Sequence, residues 1–127
     1  MLSLPPSVKI YLATFVTDMR KSFDGLSLLV QQVLKQDPLS GHLFVFFNRR
    51  RDQVRIVFWD RNGWCLMAKR LEKGTFRLPI EVGPDVQSMA VEAAELALIL
   101  EGIDLRGARR RKRWTPPKEA DLNSPQP

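Results

Sequence analysis

Three clusters of cationic residues carry the chemistry that this sequence can offer. The largest consists of five consecutive cations directly before Trp114: Arg109, Arg110, Arg111, Lys112 and Arg113. Cationic side chains neutralise the phosphates of a nucleic-acid backbone, and an indole ring stacks on a base or a ribose. The segment therefore predicts electrostatic contact with a nucleic acid, whereas nothing in it specifies the reading of a base sequence.

A second cluster fills a predicted turn between two strands and consists of Arg49, Arg50 and Arg51. Four further cations would extend it along a sheet: Arg55, Arg61, Lys69 and Arg70. Contact with phosphates and an ordinary solvated turn are both open interpretations of these residues.

The third cluster, Arg20 and Lys21, falls in the first turn of a predicted helix. Cations at this position oppose the helix dipole, which favours anions there by about 0.3–1 kcal/mol. Two cations beside the free N–H groups of a helix start would bind a phosphate well. The alternative is that both side chains turn to solvent or pair with Asp18 and Asp24.

Catalytic groups are scarce in the sequence. One histidine, His42, and one cysteine, Cys65, cannot supply the three or four nitrogen and sulfur ligands of a zinc site. No phosphate-binding loop, dinucleotide-binding motif or nucleophile elbow is present. The carboxylates show no spacing that singles out a magnesium site. We therefore predict a protein without catalytic residues, metal or cofactor, in which His42 and Cys65 have structural roles.

The central element of the chain is a meander of three predicted strands. Leu43–Asn48, Gln53–Asp60 and Trp64–Arg70 are rich in aromatic and β-branched residues. Asn62 and Gly63 predict a tight hairpin, because both residue types tolerate the positive φ that such a turn requires. The first two strands are apolar on both faces, so the sheet needs a cover on each side.

Three further elements complete the predicted fold. Val8–Thr14 alternates as a strand that joins the meander, and an amphipathic helix runs from Asp18 towards Asp37. A second helix covers Val91–Glu101 and ends at Gly102. Gly25 inside the first helix predicts a close backbone contact or a functional role. The predicted fold class is α+β, with an antiparallel sheet of four strands packed with two helices.

The net charge of +6 is unevenly distributed along the 127 residues. Residues 1–105 carry 13 lysines and arginines against 12 acids, whereas residues 106–127 carry 7 against 2. We predict one domain over residues 1–105 and a basic, proline-containing tail over 106–127 that is disordered in isolation.

The sequence also bears on where the protein is located. The N-terminus lacks the basic region of a signal peptide, and no apolar run approaches the ~18 residues of a membrane span. A cytoplasmic protein without membrane contact is therefore expected.

Several short motifs occur in an order that is similar to a known family. They are Asp18–Lys21, Phe23–Leu26, Ser40–Phe46, Lys69–Glu72 with Gly74 and Phe76, and Leu100–Asp104. This series resembles the small TnpB-type accessory proteins that are encoded beside the transposase in the IS66 family of bacterial insertion sequences. The resemblance covers roughly residues 7–105, and a basic segment after the Gly-Ile-Asp motif, here Arg106–Trp114, fits it. The chain departs from the family pattern at Glu92, a weak helix cap, and in the loop from Pro79 to Ser88.

The resemblance implies a part in transposition beside a separate transposase that holds the strand-transfer chemistry. Our first hypothesis is a non-catalytic accessory factor that binds DNA, either insertion-sequence ends or non-specific duplex, or the complex of DNA with the transposase of the same element. The second is a protein-interaction module whose exposed aromatic sheet face docks the transposase or a second copy of the chain as a homo-oligomer.

Overall fold

Five strands and two helices make up the part of the chain that the computed structural model describes, which is residues 7–79 and 86–102. In chain order they are β1 (Ile10–Val16), α1 (Phe23–Gln32), β2 (Leu43–Phe47), β3 (Gln53–Asp60), β4 (Gly63–Arg70), β5 (Ser88–Val91) and α2 (Ala93–Leu100). The predicted α+β class and its two helices are confirmed. Arg109–Arg113 and Trp114 lie outside the described residues.

All five strands form one sheet in the order β4-β3-β2-β1-β5. The antiparallel meander of β2, β3 and β4 is confirmed. The prediction that the N-terminal strand also pairs antiparallel is wrong, because β1 runs parallel to β2, with Ile10 opposite Leu43 and Leu12 opposite Val45. The reason is α1, which returns the chain to the end of the sheet where β1 began, so that both strands run in the same direction.

The fifth strand was not predicted from the sequence. β5 pairs antiparallel with β1, with Val91 opposite Ile10, so Val91 belongs to a strand and not to the second helix. At the start of α2 the Glu92 N–H donates to Oε1 of Glu95 at 2.9 Å. The predicted end of this helix is confirmed, because Gly102 has φ +82° and its N–H donates to the Ile99 carbonyl at 2.9 Å.

Both faces of the sheet are covered, as the apolar strands predicted. On one face α1 contributes Leu26, Val30 and Leu34. On the other face lie residues of α2 and of the segment 71–79: Leu96, Ile99, Leu100, Phe76 and Leu78. Between them β2 is buried along its whole length, and Phe44 and Phe46 are 0% exposed. The aromatic face of β2 is therefore not available to a partner.

Helix α1 begins at Phe23, five residues later than predicted. Oδ1 of Asp18 accepts a hydrogen bond from the Arg20 N–H at 2.9 Å, which favours a local turn over a helical start. Gly25 then lies beside this turn. A Cβ built on it would lie 3.2 Å from Cβ of Lys21, in agreement with the predicted close contact.

The hairpin between β3 and β4 occurs where it was predicted, but with different backbone angles. Gly63 pairs with Asp60 in the sheet, so the two turn residues are Arg61 and Asn62. The residue with positive φ is Arg61, at +52°, and not Asn62 or Gly63.

Candidate nucleic-acid interface

Two of the predicted cationic clusters meet at one end of the sheet. The carboxyl ends of the parallel neighbours β1 and β2 lie together, and the Thr17 N–H donates to the Phe47 carbonyl at 2.9 Å. Arg20 and Lys21 follow β1 in the chain, and the three arginines at 49–51 follow β2. Residues that are far apart in sequence therefore share one end of the molecule.

The two hairpins return β4 to this same end. Arg70 at the end of β4 pairs with Gln53 at the start of β3, and the Phe76 N–H donates to the Arg51 carbonyl at 2.7 Å. Nine exposed cations thus gather here, and we refer to them as the basic end: Arg20, Lys21, Arg49, Arg50, Arg51, Lys69, Arg70, Lys73 and Arg77. Five acids lie in the same region: Asp18, Asp24, Asp52, Glu72 and Glu101. A cationic excess remains.

Asn48 organises the turn that carries Arg49, Arg50 and Arg51. Its Oδ1 accepts the N–H groups of Asp52 and Gln53 at 3.1 Å, and its Nδ2 donates to Oδ1 of Asp52 at 2.7 Å. Arg51 has φ +57° and donates its N–H to the Asn48 carbonyl. These local bonds hold the backbone of the turn, and the three arginine residues that it carries are exposed.

Arg20 and Lys21 do not lie in the first turn of a helix, which corrects the prediction. They precede Ser22, the N-cap of α1, whose side chain makes no capping bond. Arg20 is paired with Asp18 at 2.8 Å, as the alternative interpretation proposed, and this bonding holds the pKa of Asp18 down to about 2. Within the described residues Lys21 makes no salt bridge, so it offers its full charge.

The four cations named as an extension of the turn are divided by the fold. Lys69 and Arg70 belong to the basic end, whereas Arg61 lies in the turn at the opposite end of the sheet. Arg55 is half-buried in the middle of β3, opposite Phe46 and Ala68. Arg70 contacts Glu72 at 3.3 Å.

Sequence reasoning missed two cations of the basic end, Lys73 and Arg77. They belong to the segment after β4, which lies beside the arginine turn through the bond from Phe76 to Arg51. The sequence offered one signal for them. Two hairpins join β2 to β4, so β4 runs in the same direction as β2 and finishes at the same end of the sheet.

Helix α2 also ends at this part of the molecule. Nζ of Lys69 donates to the Leu100 carbonyl at 2.8 Å, which ties the last turn of the helix to β4. The chain that continues beyond Gly102 therefore starts from the basic end.

His42 lies directly before β2, and Cys65 lies within β4. Nδ1 of His42 accepts the Lys9 N–H at 3.0 Å, and the ring lies edge-on to Tyr11 at 5.9 Å. Cys65 is half-buried in β4.

Residues 7–79 and 86–102 contain no group of three histidine, cysteine or acidic side chains that is placed to hold a metal ion. Neither described helix has the length and apolarity that a membrane crossing requires.

The fold and the basic end define a small α+β protein with an exposed cationic surface. A family model described as IS66 Orf2 like protein matches residues 8–110, and the chain belongs to this family. An uncharacterized protein, y4hO, of Sinorhizobium fredii (strain NBRC 101917 / NGR234) is 40% identical over 118 residues, which are 93% of this chain and 98% of that protein. A second uncharacterized protein of the same strain, y4jC, is 35% identical over 113 residues, 89% of this chain and 94% of its own. No solved structure matches the chain.

Family membership confirms the resemblance that the motifs indicated. It connects the chain with insertion sequences of the IS66 type and so with an accessory role in transposition. The description of the matched family names no catalytic activity. The match ends at residue 110 and thus includes Arg109 and Arg110.

Proposed function

We propose that this chain is a non-catalytic accessory protein of insertion-sequence transposition that binds DNA through its basic end. Arg109–Arg113 and Trp114 supply further contacts in this proposal, since the chain beyond Gly102 starts at the same end. The observation that carries the proposal is the parallel pairing of β1 and β2, which gathers Arg20 and Lys21 with the arginine turn.

The chemistry of the basic end is suited to phosphates more than to bases. Its cations are exposed and lie in turns and at strand ends, where they can follow a nucleic-acid backbone. Neither described helix presents a row of cations and amides for a DNA groove. We therefore propose electrostatic binding, with a steep dependence on salt and a weak preference for sequence.

A charge-matched pair of variants tests the proposal. Arg49→Gln with Arg50→Gln removes two charges at the basic end, and Lys9→Gln with Arg61→Gln removes two exposed charges at the opposite end. Fluorescence anisotropy over a salt series, on an insertion-sequence end and a scrambled duplex, gives the affinity and the slope of log K against log salt. We expect the first variant to reduce the slope by about two and the second to leave it unchanged.

Equal effects of the two variants would mean that net charge and not the basic end binds DNA. No binding by the intact chain at low salt would overturn the proposal. A truncation after Leu105 measures the separate contribution of the basic tail.

A second candidate function is docking of the transposase without contact to DNA. It is supported by an apolar groove of about 770 Å³ between α2 and the strands β3 and β4, lined in part by Phe58, Met67 and Ala97. Transposase capture by the truncated chain, together with no DNA affinity of the intact chain, would favour this candidate.

A further inference from the structure

Strand β4 forms one edge of the sheet and is long for an edge strand. It has eight residues, whereas β5 at the other edge has four. On one side β4 pairs with β3 over its full length, from Gly63 opposite Asp60 to Arg70 opposite Gln53. On its other side no strand of the described residues pairs with it.

The hydrogen-bond pattern shows which groups this edge presents. The Leu71 N–H donates to the Asp52 carbonyl at 2.8 Å, in the same register as the rest of the pair. Because the direction of the backbone groups alternates along a strand, the odd-numbered residues of β4 bond to β3. The even-numbered residues therefore direct their N–H and C=O groups outward: Trp64, Leu66, Ala68 and Arg70.

The side chains of β4 do not protect this edge. Natural edge strands are commonly blocked by proline, by central charges or by a covering segment. The middle of β4, residues 64–68, carries no charge and no proline. Met67 is 39% exposed, and Cys65 beside it lines the apolar groove. A strand of this kind is a template for pairing with another strand.

We propose that β4 pairs antiparallel with β4 of a second copy of this chain, with the two strands centred on Leu66. In this register Cys65 faces Met67 of the second copy, and Trp64 faces Ala68. The proposal does not depend on DNA binding, although β4 ends with two cations of the basic end, Lys69 and Arg70.

Charge disfavours two alternative arrangements of the paired strands. Parallel pairing in register would place Lys69 and Arg70 beside their own copies, and like charges directly opposite each other are destabilising. Antiparallel pairing centred on Cys65 would place Arg61 opposite Lys69. Centring on Leu66 instead places the uncharged Gly63 and Asn62 opposite Lys69 and Arg70 of the second copy. The proposed register thus brings no two cations of the paired strands opposite each other.

Proline at a position whose backbone N–H points away from β3 tests the hydrogen bonds between the two copies. The Ala68 N–H is not used by the pairing of β4 with β3, so Ala68→Pro removes a donor only from the outer edge. Sedimentation velocity of the full chain, in reducing buffer without DNA, should give twice the mass of one chain for the natural protein. Ala68→Ser keeps the donor and should stay dimeric, whereas Ala68→Pro should sediment as a monomer. Circular dichroism checks that both variants are folded.

Cross-linking tests the register and does not depend on the proline variant. Opposed residues of a non-hydrogen-bonded pair have Cα atoms about 4.5 Å apart, within the range that a disulfide bridges. Met67→Cys should therefore form a covalent dimer with Cys65 of the second copy on mild oxidation, at least tenfold faster than the natural chain. The same change in a Cys65→Ala background should cross-link slowly.

Three results would overturn the proposal. They are a monomeric natural chain at tens of micromolar, a folded Ala68→Pro variant that remains dimeric, and cross-linking of the natural Cys65 as fast as that of the Met67→Cys variant. The first result would indicate that another protein or another part of this chain occupies the edge.

Discussion

Asp18 limits the charge that Arg20 presents to an anion. The guanidinium of Arg20 donates to both carboxylate oxygens of Asp18 at 2.8–3.1 Å, and the side chains of Arg20 and Asp18 are 91% and 44% exposed. An exposed pair of this kind contributes little to stability because solvent screens it. Its main effect is on binding, since a phosphate that approaches Arg20 must compete with Asp18.

Replacement of Asp18 should release this cation. We expect Asp18→Asn to bind duplex DNA more tightly than the natural chain and to steepen its salt dependence by about one unit of slope, because one more cation reaches a phosphate. Asp37→Asn is the control, as Asp37 lies beyond α1 at the opposite end. An equal gain from both variants would assign the effect to net charge and not to Arg20.

The same pair should be visible in the titration of Asp18. Its pKa is lowered from 3.8 to about 2 by the hydrogen bonds from Arg20, so the small stabilisation that this exposed pair gives is present above pH 4 and is lost as the pH falls through 2. NMR titration of the carboxyl group should give this low midpoint in the natural chain and an ordinary one in Arg20→Gln. A midpoint that does not move would mean that Arg20 is not the cause.

Arg61 has an unfavourable backbone conformation in the β3–β4 turn. A left-handed φ costs an L-residue about 1–2 kcal/mol, and glycine avoids this cost. We expect Arg61→Gly to raise the free energy of unfolding by about 1 kcal/mol, part of the gain being offset by the larger entropy of glycine in the unfolded chain. Urea denaturation measures this free energy. Arg50 has no positive φ, so Arg50→Gly should not raise the free energy of unfolding.

At the scale of elements, β2 is the centre of the fold. It lies between β1 and β3, and helices cover it on both faces, so its five residues are all buried. This position explains why aromatic residues that looked available in the sequence belong to the core. They stabilise the protein and do not recognise a partner.

Truncation of one of these aromatics should be costly. We expect Phe46→Ala to lower the free energy of unfolding by about 3–5 kcal/mol, because Phe46 is 0% exposed and its removal leaves a cavity. Phe23→Ala is the matched control. Because Phe23 is 39% exposed on α1, its truncation should lower the free energy of unfolding by well under half as much. Similar losses in urea denaturation would contradict the assigned burial.

At the scale of the whole molecule, the topology collects charge at one end. β1, β2 and β4 all finish there, and α2 ends beside β4. In the proposed dimer the antiparallel edges place the two basic ends at opposite ends of a ten-stranded sheet. Each copy would then present its own cationic surface.

This arrangement predicts that the basic end and the basic tail act on the same duplex. The loss of binding free energy in Arg49→Gln with Arg50→Gln should add to the loss on truncation after Leu105, because the two changes remove separate phosphate contacts. Anisotropy titrations of the two single changes and their combination form the cycle. If either change abolished the effect of the other, the two segments would not bind independently.

Local patterns were sufficient to predict most elements. The meander, both helices, the hairpin near Gly63 and the helix end at Gly102 follow from side-chain periodicity and from turn residues, which act over a few positions. The need for two covering layers was also predictable, since β2 and β3 are apolar on both faces. Among the candidate site residues, the exposed arginine turn was predicted as a cluster because its members are adjacent in the chain.

Long-range pairing was decided by the tertiary structure alone. The direction of β1 depends on where α1 delivers the chain, and β5 is a strand only because β1 offers it an edge. The start of α1 was misplaced because a hydrogen bond of Asp18 competes with the helix. The basic end joins residues 20–21, 49–51 and 69–77, which share no local pattern. The residue types fixed which chemistry the chain offers, and the strand order decided where that chemistry meets.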